Sequence, residues 1–161
     1  MRLHWSLALG LLLAACTSNG SQGVSYTPDD YQLALNAVNQ ARSQPQTCGS
    51  SSYPAAPALR WNGLLGEVAR QRAEYIQQTN DFRHEEGSST EMAAAVRARA
   101  NGYEYREIRE NLYRGPGSAA EAVTEWLGSP SHCQTLMAPH LREMGMVKRG
   151  AYWVLVVAQP R

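Results

Sequence analysis

Where the three cysteines fall sets the frame for this chain. Cys16 closes an apolar run, Trp5 to Ala15, that follows a short basic start at Arg2. A basic start, then ~7–15 apolar residues and small residues before the break, is the pattern of an export signal, and the run is too short to span a bilayer permanently. Export leads to an oxidising compartment. With Cys16 spent at the processing site, Cys48 and Cys133 remain as a lone pair, which is expected there to be a disulfide. A link across so long a loop stabilises by ~4 kcal/mol in the chain-entropy model. The alternative for Cys133 is a reactive thiol beside His132.

Leu13-Ala14-Ala15-Cys16 resembles a bacterial lipobox, in which the cysteine is lipidated and becomes the new N-terminus. The competing reading is an ordinary signal peptide with Cys16 merely nearby. On the lipobox reading, residues 1–15 are the signal peptide, and Thr17 stands where an inner-membrane retention signal usually carries Asp. The expected location is then the outer membrane or cell surface, with the domain in the periplasm or outside the cell. Acyl chains anchor by burying methylenes, each contributing roughly 0.8 kcal/mol. Residues 16–25 are the lipidated cysteine and a flexible tether, because the Ser, Gly, Gln and Asn there have nothing to bury. Residues 26–161 are the size of one domain.

The whole chain has 15 basic and 14 acidic residues, and losing Arg2 with the signal leaves 14 against 14. A neutral domain without a basic stripe argues against nucleic acid and against electrostatic docking on a membrane. A monomer touching the membrane only through its lipid is the expectation.

Local signals give the order of elements. Thr27-Pro28-Asp29-Asp30 starts a helix with a capping hydroxyl, Pro at the first turn and acids after it, and Tyr31, Leu35 and Val38 share a face up to the stop at Pro45. Asn62 caps a second helix in which Leu65, Val68, Ala69 and Ile76 share a face, with Glu67, Arg70, Gln71 and Glu74 outside. A third, Ala-rich helix is capped by Ser89 or Thr90 and closes at Asn101-Gly102. Residues 106–113 alternate, placing Ile108, Glu110 and Leu112 on one face of a strand. Ser118-Ala119-Ala120-Glu121 is a capping box for a fourth helix. A short helical turn then carries His132 and Cys133, and a hairpin follows, 143–147 and 152–158. The fold class is α+β: an αβα sandwich of about four helices around a small, three-stranded antiparallel sheet.

Three histidines lie beyond the signal: His84, His132 and His140. His84 and His132 sit where helices break, Glu110 lies in the strand between them, and Glu143 opens the hairpin. Imidazoles and carboxylates from separate elements supply ligands for zinc or another divalent ion, or support acid–base work. No HExxH, CxxC or GxSxG motif accompanies them. The plain alternative is a hydrogen-bonded polar network joining helices to sheet. Asn111 reads as an amide satisfying backbone, Trp61, Trp126 and Trp153 as core or wall, and Arg97 and Arg99 as solvated helix charges.

Several segments, in order, resemble the CAP superfamily (cysteine-rich secretory proteins, antigen 5, pathogenesis-related 1) in its bacterial SCP-like branch. Residues 35–42 resemble its opening helix, and Pro57-Ala58-Leu59-Arg60-Trp61-Asn62 its "P-L-x-W-N". Phe82-Arg83-His84 matches its first cavity histidine. Arg109-Glu110-Asn111-Leu112 matches "GENL" with Arg109 for Gly, and Trp126 to Cys133 resembles "W-x-x-S-P-x-H-C". Glu143-Met144-Gly145 and Tyr152-Trp153-Val154 complete the match over residues 26–161. The resemblance implies a central cavity holding His84, Glu110 and His132, with a divalent ion in some members. Gly128 and Ser129 stand where eukaryotic relatives place a fourth acid, so Glu143 is the substitute, and Glu125 beside Trp126 is expected to turn outward.

Three functions follow as expectations. A non-catalytic binding module of the envelope, taking a lipid, glycan or protein, comes first, since fold alone does not give function. Metal-assisted hydrolysis at His84, Glu110 and His132 is the second, and a purely structural envelope role the third. Ser129 and Ser131 flank His132 without a nucleophile elbow.

Overall fold

The computed structural model describes residues 28–161. The expected signal peptide, Cys16, the tether and the cap at Thr27 lie outside the described residues.

Helix α1 spans Pro28–Arg42 and buries Ala34, Val38 and Ala41 on one face. It ends on Arg42, whose wholly buried guanidinium donates to the carbonyls of Pro57 at 2.7 and 2.9 Å, Ala138 at 3.2 Å, and Leu136. Burial, reinforced by the charge of Arg142, pushes the Arg42 pKa down to about 10, so the group stays cationic near neutrality. Four carbonyl contacts replace the water a buried charge would otherwise demand. They tie the end of α1 to the loop at residue 57 and to the chain beyond 136.

A small hairpin follows, β1 (Gln46–Cys48) paired antiparallel with β2 (Ser51–Tyr53). Then come β3 (Arg60–Trp61) and α2 (Gly63–Thr79), capped by Asn62, whose side chain accepts from the N–H groups of Leu64 and Leu65. Asn80 closes α2 in the left-handed conformation at φ 56°. Helix α3 (Ala93–Ala100) leads into β4 (Tyr105–Arg114). Helix α4 (Ala119–Gly128) has both bonds of the Ser118–Glu121 capping box, α5 spans Pro130–Met137, and β5 (Glu143–Arg149) with β6 (Tyr152–Pro160) forms the last hairpin.

The main sheet has the order β3-β5-β6-β4. β4, β6 and β5 are antiparallel neighbours, and β3 adds two residues parallel to β5, Arg60 opposite Glu143 and Trp61 opposite Met144. β6 alternates between two cores. Val154, Val156 and Ala158 pack with Leu65, Val68 and Ile76 of α2 and with the alanines of α3, while Leu155 and Val157 pack with Val38, Trp126, Leu136 and Met144. A strand covered on both faces reads as a continuous apolar run, which 152–158 is. Helices α2 and α3 form one outer layer, and α1, α4 and α5 the other.

The α+β sandwich stands, and three details are corrected. The sheet has four strands, not three, because β3 is added in parallel, and β1–β2 is a separate two-stranded sheet. Among the described residues there are five helices rather than about four, since the turn bearing His132 and Cys133 extends to the eight residues of α5. Helix α3 starts three residues beyond Thr90, at Ala93, with no side-chain cap. Cys48 and Cys133 are bonded to each other, with Cα atoms 5.4 Å apart, and both are buried, so the reactive-thiol alternative is set aside. No helix among the described residues is long and apolar enough to cross a membrane.

Candidate functional site

Glu110 is the centre of a charged network inside the sandwich. It faces α2 from β4, sharing that face with Ile108 and Leu112, and its carboxylate has no solvent exposure. Oε2 accepts from Arg72 Nε at 2.9 Å, and Oε1 lies 3.0 Å from His84 Nδ1. Arg72 is also wholly buried; its remaining nitrogens reach Glu86 Oε1 at 2.6 Å and the carbonyl of Arg83 at 2.7 Å. Glu86 in turn accepts from Arg97 at 2.8 and 2.9 Å. This chain of two acids and two guanidiniums is internally neutral. It fastens the loop between α2 and α3, which carries His84, against the sheet.

The hydrogen bond to Glu110 raises the pKa of His84, more than burial lowers it. His132 sits one turn before Thr135 on α5, and its pKa is lowered, first by burial and then by the charge of His84. Neither His84 Nε2 nor the His132 ring bonds a described residue. Asn111, on the opposite face of β4, donates to the His132 carbonyl at 3.0 Å and so fixes α5 against the strand. His84, Met92, Arg109, Glu110 and Thr135 line an open hollow of about 300 Å³.

A second concavity of about 360 Å³ is mostly apolar and lies between the start of α1, the start of α4 and the hairpin end of β5 and β6. Leu33, 63% exposed, and Ala34 form one wall, Ala119 the other, and Met146 and Trp153 the floor. Lys148 lies over the Trp153 ring, 5.2 Å from its centroid, and donates to the carbonyls of Pro116 and Gly117 at the rim. Trp153 Nε1 is a buried donor with no partner among the described residues. Buried N–H groups are nearly always bonded; this one is closed off from solvent, so an acceptor reaches it only if the side chains around it shift.

A family model for the CAP, or cysteine-rich secretory protein, family matches residues 35–154. The chain belongs to the CAP family. Its sandwich resembles an outer surface protein of Borrelia burgdorferi at 18% identity and TM-score 0.70, over 85% of this chain and 97% of that one. It also resembles an extracellular SCP-domain protein of Bacillus anthracis, at 19% identity and TM-score 0.67, over 85% of this chain. A cysteine-rich secretory protein of Staphylococcus aureus matches at 15% identity and TM-score 0.60, over 83% of this chain. The chain spans 45% of the B. anthracis protein and 40% of the S. aureus one. No curated protein matches it.

In this CAP domain the four expected metal ligands do not form one set. Glu143 binds elsewhere: its Oε2 accepts from Asn62 Nδ2 and the Tyr103 hydroxyl, each at 2.9 Å, and Arg60 lies 3.5 Å from Oε1. Glu110 is level with Gly145 across β6, two strands away and two residues along from Glu143. Strand spacings then put the two Cα atoms on the order of 12 Å apart. Both Glu110 oxygens are engaged, one with Arg72 and one with His84. Among the described residues no group of three or more His, Cys, Asp or Glu side chains is arranged to hold a metal.

Arg72 and Glu86 were not anticipated as members of the network. The signal for Arg72 lies in the sequence: it continues the stripe Leu65, Val68, Ala69, Ile76 on α2, and a charge on a buried stripe needs a partner. Arg97 is corrected from a solvated charge to a partner of Glu86, whereas Arg99 is half exposed and pairs with Glu91. Glu125 is exposed, as expected. His140 pairs with Glu107 at 2.9 Å, outside the network.

Proposed function

We propose that this CAP domain is a non-catalytic binding module of the cell envelope, held there by lipidation of Cys16, and that its ligand is an amphiphile with one long apolar chain and a hydrogen-bond acceptor near the head. The observation that carries the reading is the apolar groove beside α1, which has the buried, unpartnered Trp153 indole among its lining residues. Leu33, Ala34, Met146 and Ala119 supply the apolar walls, and the indole N–H supplies the fixed polar point that orients an otherwise slippery chain. The central network supports the same reading from the other side. Glu110 is committed to Arg72 and His84, which suits a residue that ties the loop before α3 to the sheet.

Binding of a fluorescent long-chain fatty acid to the purified protein tests the groove. Leu33→Asp, which puts a charge on the apolar wall, is expected to abolish binding. Trp153→Phe keeps an aromatic side chain, though a smaller one, and removes the donor, and should weaken binding by at least about three- to tenfold, the worth of one hydrogen bond. Unchanged affinity in both variants would remove the groove from consideration. Anchoring is tested separately: Cys16→Ser should move the protein from the membrane to the soluble fraction, and retention in the membrane would refute a lipid anchor.

A further inference from the structure

At the opposite end of β6 from Trp153, the first residues of β4, the turn after α3 and Arg161 surround a cavity of about 530 Å³. Trp153 and Pro160 are seven residues apart on one strand, which separates the two concavities by roughly 24 Å. The lining carries three guanidiniums, Arg99, Arg106 and Arg161, against one carboxylate, Glu104, with Tyr103 and Tyr105 between them. Each arginine arrives from a different element: Arg99 from the last turn of α3, Arg106 from the start of β4, Arg161 from beyond β6.

Arg106 reaches this cavity because of an irregularity in the sheet. Tyr105 pairs with Pro160 and Glu107 with Gln159, so Arg106 is an extra residue that the ladder skips. A bulge of this kind re-aims a side chain, and here Tyr105 and Arg106, neighbours that would otherwise point to opposite faces, line the same hollow. The Arg106 side chain makes no hydrogen bond or ion pair with a described residue. Arg161 spends only Nε, on the Tyr105 carbonyl at 3.3 Å. Arg99 is held by the Tyr105 hydroxyl and Glu91, each at 2.7 Å.

Several other arginines are matched to acids: Arg72 and Arg97 to Glu86, Arg70 to Glu67 and Glu74, Arg109 to Glu107. Arg99 is balanced by Glu91, which leaves Arg106 and Arg161 against the single lining acid Glu104, and an anion seated between them complements that excess of positive charge. We propose that this cavity binds a phosphorylated sugar. The planar guanidinium fork suits phosphate oxygens. The hollow is many times the ≈30 Å³ share of one water, so it has room for more than a bare phosphate. Tyr103 and Tyr105, stacked with centroids 6.5 Å apart and planes within 16°, offer the partly exposed Tyr105 ring as a platform for a sugar face. Glu104 offers acceptors for sugar hydroxyls. This site is independent of the apolar groove.

The test is titration of the full-length protein, kept soluble in detergent, with glucose 1-phosphate, inorganic phosphate and glucose, followed by amide NMR shifts and calorimetry. Glucose 1-phosphate is expected to bind at least tenfold more tightly than inorganic phosphate, glucose not to bind, and the shifts to centre on residues 102–106. The double variant Arg106→Gln, Arg161→Gln should lose at least tenfold in affinity, while Arg114→Gln, on an exposed arginine at the other end of β4, and Leu33→Asp, in the apolar groove, should change nothing. Equal affinity in the double variant, or shifts spread over the surface with all anions alike, would overturn the site. Vesicles bearing a phosphorylated glycolipid distinguish the source of the sugar phosphate. Capture of the Cys16→Ser protein, competed by glucose 1-phosphate, places it on a lipid; binding of the soluble compound without capture places it in solution. Either result supports the cavity.

Discussion

At the scale of single residues, the central histidines have opposite pH signatures. Hydrogen bonding to Glu110 raises the pKa of His84 above its unfolded value. Its contribution to stability is therefore fully present below the unfolded pKa of about 6.5 and is lost as pH rises through the folded value. His132 is shifted the other way, by burial and then by His84, so the folded state loses stability on its account as pH falls below about 6.5. His84→Asn is expected to destabilise more at pH 5.5 than at pH 8.5. The difference should be within about 1 kcal/mol, because the His84 side chain is 44% exposed and solvent screens the pair. His132→Asn should do the reverse, becoming less costly at the acid end. Thermal melts of both variants at the two pH values decide it. Parallel losses at both pH values would show that the His84–Glu110 contact carries no charge-dependent stability.

At the scale of elements, legibility in the sequence followed local chemistry. The capping box at Ser118, the Asn62 cap and the αL stop after α3 are bonds made within a few residues, and the sequence displays them directly. The run at 152–158 announced a strand buried on both faces. Strand β3 was hidden because two residues have no period, and it pairs only once Arg142 and Met144 present their carbonyls to Arg60 and Asn62. The β1–β2 hairpin carries Ser, Thr and Gln where a strand signal needs alternating apolar residues, and it is held from outside by Cys48. Gly145 shows a constraint of the same non-local kind: a Cβ there would overlap the backbone of Leu65 and Gly66, so α2 lies directly on β5. Of the site, His84 beside Glu110 was visible through the family resemblance. The partnership of Glu143 with Asn62 and Tyr103 was not, because it depends on the register of β5 and on where α3 delivers the chain.

At the scale of the whole molecule, the two helical layers are bound to the sheet by separate cores, and the disulfide belongs to neither large one. Cys48 and Cys133 form a small cluster with Ala56 and Met137 that joins the β1–β2 hairpin to α5. The bond spans 85 residues, which include β3, α2, α3, β4 and α4. Cross-linking so long a loop removes conformational freedom chiefly from the unfolded chain, by ~4 kcal/mol in the chain-entropy model. The hydrogen bonds and ion pairs of the network around Glu110 run among α2, α3, β4 and the loop before α3, and none involves the cysteine cluster. Cys48→Ala with Cys133→Ala should therefore lower the melting temperature by on the order of 10 °C while leaving the acid-to-alkaline difference produced by His84→Asn unchanged, because the His84–Glu110 bond is made without α5 and sites that share no bond act additively. Calorimetric melts of the double cysteine variant, with and without His84→Asn, at pH 5.5 and 8.5 measure both quantities in one series. A melting temperature unmoved by loss of the bond would mean that the packed layers alone restrict the loop. A His84 effect that vanished with the disulfide would mean that the two faces of the sheet are coupled through α5.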